Sequence, residues 1–524
     1  MGELAGRPAA FRLPRESEQS ALVPAAKGTS VLLAGKLFTY FVRLAMGILL
    51  GRLLGADQFG LYTLSLTAAT VAGSLGHLGL DVTLVRYISM YRSRGDQARL
   101  WGTLQIGAIG ALAATVAGLV LFSASNYLAV EVFHDKRLAH LFRIASIVVP
   151  FLAINDLLCG ATQGFKNFHY TVLAQQFAQP AFRMLLLVFI AVTIGLDPDL
   201  ATLAFLIATI GTSLILFYFL NKQFSLRRPW SEGRRETREV LGFSFPIYVA
   251  GLIKDFGSNI QALLIGSLHA ARSVGIYTAA ANFNMIGQVF HTSISVASMP
   301  ILCELHDRRQ WGELSRYYQT TTKWTLALNL PMFLVVLLFP TPVLALIGKG
   351  FEQGAGVLII LAWVNLLRTG TGLGGGIIDM TGHTRLKLAN TIGMIAISAG
   401  MNILLVPGMG MYGAAWAALV AAFTINTARL VEVYVLLRLQ PYNVEILKPL
   451  GAGLVASLAA WAAYVATGPL GMYPAFAAGC VVLAITYLAL VTLFGLAPED
   501  QIVLAAFRRR FNRTLGKDYE RHQS

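Results

Sequence analysis

The stretch LGRLLGADQFGLYT, at residues 50–63, joins two long apolar runs and carries an arginine and an aspartate. A second stretch, IGSLHAARSVGIYT at residues 265–278, has the same character. At an offset of 215 residues the two regions share seven identities in fifteen positions, where roughly one is expected by chance. The matching pairs are Leu49/Leu264, Gly51/Gly266, Leu53/Leu268, Ala56/Ala271, Gly60/Gly275, Tyr62/Tyr277 and Thr63/Thr278. The sequence therefore predicts an internal repeat that contains the same short joint between helices in each copy.

The composition of the chain indicates a membrane protein. Of its 524 residues, 56% are hydrophobic and 13% are charged, about half the charged fraction of a typical soluble protein. Fourteen apolar runs fill most of the chain, and each has the length of roughly 20 residues that crosses a bilayer as a helix. The predicted fold class is an all-α integral membrane protein with about 14 transmembrane helices, arranged as two six-helix parallel-repeat bundles plus a C-terminal helix pair.

The domain organisation follows from the positions of these runs. The second and tenth predicted helices, at 58–85 and 355–379, are expected to be continuous. The predicted segments are a cytoplasmic tail (1–27), an N-terminal six-helix bundle (28–221), a basic cytoplasmic linker (222–239), a C-terminal six-helix bundle (240–436), helices 13 and 14 (437–495) and a basic cytoplasmic tail (496–524).

The basic residues are distributed asymmetrically. The formal net charge is +15, and if the N-terminus is cytoplasmic, 29 of the 41 Lys and Arg fall in inside tails and loops and five outside. This is the positive-inside pattern of membrane proteins. It predicts a multi-pass protein of the bacterial cytoplasmic (inner) membrane with both termini in the cytoplasm. The basic segments are expected to face membrane lipids and not nucleic acid.

Several cations lie well inside predicted helices, where each costs a few kcal/mol unless it faces protein or water. Near the same depth the one acid is Asp255, so these cations cannot all be paired. Arg143 and Arg429 lie closer to predicted helix ends, and snorkelling to the interface accounts for them. A cavity lined by unpaired cations attracts anions. We therefore predict a cationic substrate-binding cavity formed by Arg43, Lys36, Arg183, Lys254 and Arg368.

Two predicted helices carry similar polar stripes. Residues spaced by 0, 4, 7 and 11 positions lie on one face of a helix, and both stripes have a histidine in the third place. One interpretation is hydrogen bonding between helices. The other is two polar walls of one aqueous cavity, with candidates for proton coupling. The stripes are Thr70, Ser74, His77, Asp81 and Asn284, Gln288, His291, Ser295, and the candidate wall and coupling residues are His77, Asp81, Asp255, Asn284, Gln288 and His291.

Sequence motifs of enzymes and cofactor-binding proteins are missing. There is no GxxxxGK[ST] phosphate loop, no metal-ligand spacing and no catalytic triad. The sequence DPD at 197–199 lies in a short loop predicted to be external, where nucleotide sugars are not supplied. We expect no cofactor, no metal and no enzymatic activity. An integral-membrane sugar transferase stays an alternative, and it would need an essential cytoplasmic carboxylate such as Asp81, Asp156 or Asp379.

Three segments resemble a known family. The stretch at 51–88 resembles the opening helical hairpin of bacterial polysaccharide flippases of the O-antigen and exopolysaccharide (Wzx) type. These belong to the multidrug/oligosaccharidyl-lipid/polysaccharide (MOP) exporter superfamily. NILLVPGMGMYGAAWAALVAA (402–422) resembles the penultimate hairpin of that family, and LAPEDQIVLAAFRRRF (496–511) resembles its cytoplasmic ending. The resemblance extends from about residue 28 to 511.

The resemblance implies a function. Such proteins move an oligosaccharide on a polyprenyl-diphosphate carrier from the inner to the outer leaflet by alternating access, without ATP. Cations in the cavity meet the diphosphate, which suits Arg43, Arg183, Lys254 and Arg368. The expected partners are a lipid-linked oligosaccharide and, as a candidate, the polysaccharide polymerase machinery. A lipid II or other cell-wall precursor flippase, a drug antiporter and a non-transporting scaffold of a polysaccharide assembly complex stay open, as does a lipid-tail groove in residues 448–495.

Overall fold

The structure, a computed structural model, describes residues 16–493, apart from the side chains of residues 16–34, 36, 37 and 384. Twelve of the described helices are long and apolar enough to cross a membrane. Two of these, Phe38–Gly76 and Arg385–Leu437, contain a residue with non-helical backbone angles, Gly55 and Gly410 respectively. Dividing both at these glycines gives fourteen segments. The predicted fold class is therefore confirmed.

The α-helices follow one another with short connections. Turns of π-helix extend two of them, at Leu128–Val132 and Val172–Ala178. The helices are α1 (Glu16–Gly76), α2 (Leu80–Ser93), α3 (Gln97–Tyr127), α4 (Leu138–Gly164), α5 (Phe168–Thr171), α6 (Gln179–Thr193), α7 (Pro198–Gln223), α8 (Thr237–Leu268), α9 (Ala271–Asp307), α10 (Trp311–Leu338), α11 (Pro340–Ala345), α12 (Ala355–Gly370), α13 (Gly374–Met380), α14 (Thr384–Leu437), α15 (Leu447–Thr467) and α16 (Met472–Leu493).

The two copies of the repeated joint pack directly against each other. A Cβ atom added to Gly60 in α1 would overlap the carbonyl group of Ala271 in α9. A Cβ atom added to Gly275 would overlap the carbonyl oxygen of Ala56. Because each glycine meets the alanine of the other copy, the contact is reciprocal. Small residues allow two helices to approach this closely inside a membrane, which explains why the same residues recur at the offset of 215.

The predicted continuous helix at 58–85 is wrong, because the chain breaks between α1 and α2. Leu78 and Gly79 have left-handed backbone angles, with φ of 54° and 66°. The Nδ1 atom of His77 accepts a hydrogen bond from the Gly79 amide at 3.1 Å. A Cβ atom on Gly79 would lie 2.8 Å from the backbone nitrogen of Tyr248 in α8. The break therefore lets α8 approach the backbone, and only glycine fits there.

The predicted helix at 355–379 is also interrupted. The chain leaves helical geometry between α12 and α13, where Gly372 has φ of 62°. Thr322 of α10 occupies the space that a Cβ atom on Gly372 would need. A glycine with positive φ ends a helix without strain. This break places the glycine-rich segment 374–376 at the start of α13.

The C-terminal pair α15 and α16 packs against α10 and its C-terminal end. Gly453 of α15 faces Leu330, and Gly479 of α16 faces the ring of Phe339. The hydroxyl group of Tyr487 donates a hydrogen bond to the carbonyl oxygen of Ala327 at 2.9 Å. One face of the pair is therefore a packing surface. Much of the remainder is exposed apolar surface, including Val455 of α15 and Val481 of α16.

Candidate functional site

A cavity of about 250 Å³ lies between α9, α12, α13 and α14. It is lined by a histidine, three basic residues, one acid, several amides and hydroxyls, and a run of glycines. Glycines leave the space beside the backbone open. The lining residues are His291, Ser295, Met299, Arg368, Thr371, Gly372, Leu373, Gly374, Gly375, Gly376, Ile378, Asp379, Lys387, Asn390, Thr391, Asn426, Arg429 and Leu430.

Two arginines give this cavity its charge. Arg368 donates a hydrogen bond through Nη1 to the neutral side chain of Gln288, with an Nη1–Oε1 distance of 3.0 Å. The guanidinium group of Arg429 lies beside Gly375, 3.6 Å from the position a Cβ atom would take. Among the described residues neither arginine forms a salt bridge. Arg429 lies near enough to the carboxylates of Asp379 and Glu432 for their charges to interact, but within the described part of the chain neither guanidinium group is held in an ion pair, and both can bind an anion.

The other charged residues of the cavity are partly neutralised. Lys387 forms an ion pair with Asp379, with an Nζ–Oδ2 distance of 2.9 Å. Asn390 donates a hydrogen bond to Glu432 at 2.7 Å. The ring of His291 lies near Arg368 and Arg429, and its Nδ1 atom is buried without a hydrogen-bond partner in the described structure. The net charge at the cavity is therefore positive and comes mainly from the two arginines.

The polar stripe of α9 faces α12 and this cavity. The helix is continuous from Ala271 to Asp307, so Asn284, Gln288, His291 and Ser295 lie along one side of it. The backbone carbonyl oxygen of Asn284 accepts a hydrogen bond from the side chain of Asn365 in α12, and the side chain of Gln288 accepts one from Arg368. The last two residues of the stripe line the cavity. The side chains of the stripe thus include one that bonds α12 and two that form part of the cavity wall.

Two of the predicted cations lie near each other in the N-terminal part of the chain. Arg43 of α1 is exposed, and Arg183 of α6 lies close enough for the two charges to interact. The guanidinium group of Arg183 lies 4.5 Å from the ring centre of Phe205 and 5.8 Å from that of Tyr62. Its Nε atom is buried, with no hydrogen-bond partner in the described structure. Cation–π contacts stabilise a charge that lacks a carboxylate partner.

The five predicted cations do not all line this cavity. Of Arg43, Arg183, Lys254 and Arg368, Arg368 is the one that lines the cavity between α9 and α14. The side chain of Lys36 lies outside the described residues. Lys254 is exposed on α8. A single substrate-binding cavity shared by all five cations stays a prediction.

An acidic group lies between α2, α4 and α8. The carboxylates of Asp81 in α2 and Asp255 in α8 are near enough to Asp156 in α4 for their charges to interact. Asp156 is exposed on the surface of its helix. His77 belongs to the break between α1 and α2 and caps Gly79, so the predicted stripe from Thr70 to Asp81 is not one helical face. The structure thus separates the two predicted stripes into unlike surroundings.

Sequence reasoning missed several residues of the cavity. Arg429 was expected to snorkel, yet it lies beside Arg368 because the second arm of α14, residues 411–437, turns that face toward the cavity. The sequence signal that could have found it is the spacing of Asn426, Arg429 and Leu430, a partly polar helical face in an otherwise apolar segment. Lys387 and Asp379 come together only because of the turn between α13 and α14.

The fold defines the class of protein. Fourteen membrane-crossing segments with this arrangement match the solved structure titled "Lipid II flippase MurJ, inward closed conformation", with a TM-score of 0.70 and 13% identity. The match covers 88% of this chain and 98% of that structure. The match shows that the chain is a multi-pass integral membrane protein with this fold, which is also similar to the structure titled "Inward-facing conformation of a multidrug resistance MATE family transporter of the MOP superfamily" (TM-score 0.62, 16% identity).

The family is shown by the sequence itself. The family described as "Polysaccharide biosynthesis protein" matches residues 25–306, and MatE matches residues 246–407. Because the first match covers more than half of the chain, the protein belongs to the polysaccharide biosynthesis protein family.

Two curated relatives are similar at low identity. Stage V sporulation protein B of Bacillus subtilis (strain 168) is 22% identical over 339 residues, or 62% of this chain. The probable low-salt glycan biosynthesis flippase Agl15 of Haloferax volcanii is 23% identical over 241 residues, or 46% of this chain. The chain spans 58% of the length of the first relative and 50% of the second.

Proposed function

We propose that the protein is a flippase that moves a polyprenyl-diphosphate-linked oligosaccharide repeat unit from the cytoplasmic to the outer leaflet, for polysaccharide biosynthesis. The observation that carries the proposal is the pair Arg368 and Arg429 at the cavity, with neither guanidinium group in a salt bridge among the described residues. Arginine binds phosphate oxygens through two donors at once. A site with two such groups suits a diphosphate.

Alternating access in this proposal works around the repeated joint. The joint packs tightly at Gly60 and Gly275, near the N-terminal end of α9. The cavity lies toward the C-terminal ends of α9 and α12. With both termini in the cytoplasm of a bacterial cell, the joint closes the external side and the cavity lies toward the cytoplasm. Opening the joint while closing the cavity end would carry the lipid headgroup across, with the two six-helix bundles (28–221 and 240–436) moving as units.

The driving force in this proposal is an ion gradient or the membrane potential. The residues that could couple it are the acidic group of Asp81, Asp156 and Asp255, and the unpartnered His291. A charged group that changes protonation or partner during transport links the cycle to a gradient. The lipid-linked glycan would be delivered to the polysaccharide polymerase machinery at the outer face.

The test is translocation of a fluorescent polyprenyl-diphosphate oligosaccharide in proteoliposomes. We expect wild type to move the lipid, and Arg368→Ala and Arg429→Ala each to slow it at least tenfold, because removing one charged hydrogen-bond donor costs about 1.5–3 kcal/mol. Arg385→Ala is the matched control, since that arginine is exposed and does not line the cavity. Arg43→Ala and Lys254→Ala test whether exposed cations outside the cavity also contribute to transport.

Two results would contradict the proposal. A wild-type protein that moves a lipid II cell-wall precursor but not the diphosphate-linked oligosaccharide would reassign the cargo. Variants that fold and transport as well as wild type would show that the arginines are structural. Size-exclusion profiles in detergent establish that each variant is folded.

A further inference from the structure

A second, wholly apolar cleft of about 340 Å³ lies between α12 and the second arm of α14. It is lined by Trp363 and Leu367 of α12 and by Leu419, Val420 and Phe423 of α14. Two of its large side chains are strongly exposed, Trp363 at 44% and Phe423 at 58%. The cleft is therefore open on the lipid-facing side of the protein.

The cleft and the cationic cavity lie next to each other along the same two elements. Along α14, Leu419 and Phe423 of the cleft are followed by Asn426 and Leu430 of the cavity at spacings of 4, 3 and 4 residues, which is one helical face. Along α12, the cleft residue Leu367 directly precedes the cavity residue Arg368. The apolar cleft and the cationic cavity therefore form the two ends of one row of residues along α12 and α14.

A buried polar contact marks the junction of the two ends. The hydroxyl group of Thr371 donates a hydrogen bond to Asn426, with an Oγ1–Oδ1 distance of 3.2 Å. The two residues belong to the cavity lining, and each lies one helical turn from a cleft residue, Leu367 and Phe423 respectively. Polarity thus changes from apolar to polar within one turn on both elements.

The order of the two ends matches the order of groups in an inner-leaflet lipid. With both termini in the cytoplasm, as proposed above, α12 and the second arm of α14 run from the external side toward the cytoplasm. The cationic cavity then lies nearer the cytoplasmic surface and the apolar cleft nearer the bilayer centre. A lipid of the inner leaflet has its phosphates at the surface and its tail toward the centre.

We propose that the cleft between α12 and α14 binds the first isoprene units of the polyprenyl chain while Arg368 and Arg429 hold the diphosphate. This inference rests on the proposed function, because the cargo defines the headgroup. Charge favours this occupant over a bilayer phospholipid, since two guanidinium groups complement two phosphates and a phospholipid has one. A single chain also suits a cleft lined by only two helical segments.

The experiment compares binding of polyprenyl diphosphate and of inorganic diphosphate to the full-length protein in nanodiscs. Val420→Trp fills the cleft, and Val455→Trp makes the same exchange at an exposed position of α15. We expect Val420→Trp to weaken binding of polyprenyl diphosphate at least tenfold and to change binding of inorganic diphosphate less than twofold. Val455→Trp should change neither, and Arg429→Ala should weaken both.

Crosslinking of the wild type supports the same test without a substitution. A polyprenyl diphosphate with a photoreactive group on its first isoprene units should label peptides that contain residues 363–367 or 419–423. Labelling of α15 or α16 instead, or a loss of binding in Val455→Trp but not in Val420→Trp, would overturn the inference. Displacement of the probe by phosphatidylglycerol at equal concentration would also overturn it.

The outcomes separate this inference from the proposed function. Unchanged lipid binding in Val420→Trp together with a loss in Arg429→Ala would refute the cleft and leave the flippase proposal standing. A wild-type protein that binds neither probe would remove the basis of both.

Discussion

The two copies of the repeated joint have the same residues where they touch. The helices that follow them differ in backbone continuity and in the charge of the residues they lead to. Ala56 and Gly60 begin the second arm of α1, residues 56–76, as Ala271 and Gly275 begin α9. The arm of α1 then breaks at residues 77–79, next to Asp81, whereas α9 continues without interruption to Asp307. The first copy leads to an acidic group and the second to a cationic cavity.

The difference shows which part of a duplicated fold is constrained by packing. At the joint each glycine is in contact with the backbone of the other copy, so a change in one copy affects both. Where the two copies lead to the acidic group and to the cationic cavity, no such reciprocal contact appears in the described residues. The side chains of the two copies differ in charge there. In the proposed transport cycle, we therefore expect substrate binding to depend on the residues that differ between the copies, and the joint to act as a symmetric hinge.

The largest effect is expected from substitutions at the joint. In Gly60→Ala or Gly275→Ala the new methyl group overlaps a backbone carbonyl of the facing helix, and overpacking of this kind costs about 1–3 kcal/mol. We expect a fall of several degrees in the thermal unfolding midpoint and transport reduced at least tenfold. Gly251→Ala in α8 is the control, because its methyl group meets nothing within 4 Å and should stabilise the helix slightly. Equal behaviour of all three variants would break the account of the joint.

A smaller effect is expected at Gln288, where one substitution should change stability and transport in opposite directions. In Gln288→Glu the new carboxylate pairs with Arg368, 3.0 Å away, which should maintain or raise thermal stability. The same pairing removes a free positive charge from the cavity, so transport of the diphosphate lipid should fall about tenfold. Gln288→Leu should lower both, because the buried guanidinium group loses its acceptor at a cost of about 1–3 kcal/mol. Faster transport in Gln288→Glu would contradict the role of the cavity charge.

The smallest effect concerns the loop beside the first joint. Arg137 forms ion pairs with Asp57 at the joint and with Asp135, and its hydrogen bonds hold the pKa of Asp135 below the ordinary value. A carboxyl group with a lowered pKa in the folded state stabilises the protein above its unfolded pKa near 4 and loses that contribution as the pH falls further. Because the pair is partly exposed, about 0.2–1 kcal/mol is at stake.

Thermal unfolding between pH 3 and pH 6 checks this prediction. Wild type should lose stability on acidification more steeply than Asp135→Asn, which cannot form the ionised pair at any pH. Above pH 5 the variant should be slightly less stable than wild type. A variant with the same pH slope as wild type would mean that Arg137 contributes nothing through this carboxylate.

The fold was predictable from the sequence, because apolar length and the positive-inside pattern follow from the bilayer as a solvent. The repeat was also visible in the sequence at Gly60 and Gly275, but the contact between its two copies was not. Sequence identity shows that a position recurs, and only the three-dimensional structure shows that the two copies touch each other. The breaks at Gly79 and Gly372 were missed because glycines within apolar helices are common, and their positive φ depends on the packing of α8 and α10.

For the proposed site, the sequence indicated the type of charge but not which residues lie together. Cations within the membrane predicted an anion-binding cavity, and of these cations Arg368 lines the cavity between α9 and α14. The side on which each helix presents its arginine depends on rotation about the helix axis, which composition does not fix. For this reason the sequence did not indicate that Arg43 and Arg183 lie near each other, or that Arg429 lines the cavity with Arg368.

The most direct test of the account is headgroup discrimination. The same oligosaccharide would be offered on polyprenyl diphosphate and on polyprenyl monophosphate, and translocation would be measured for wild type, Arg368→Ala and Arg429→Ala. We predict that wild type prefers the diphosphate at least tenfold and that each variant reduces this preference toward parity. A wild-type preference that both variants retain in full would show that these arginines do not recognise the diphosphate.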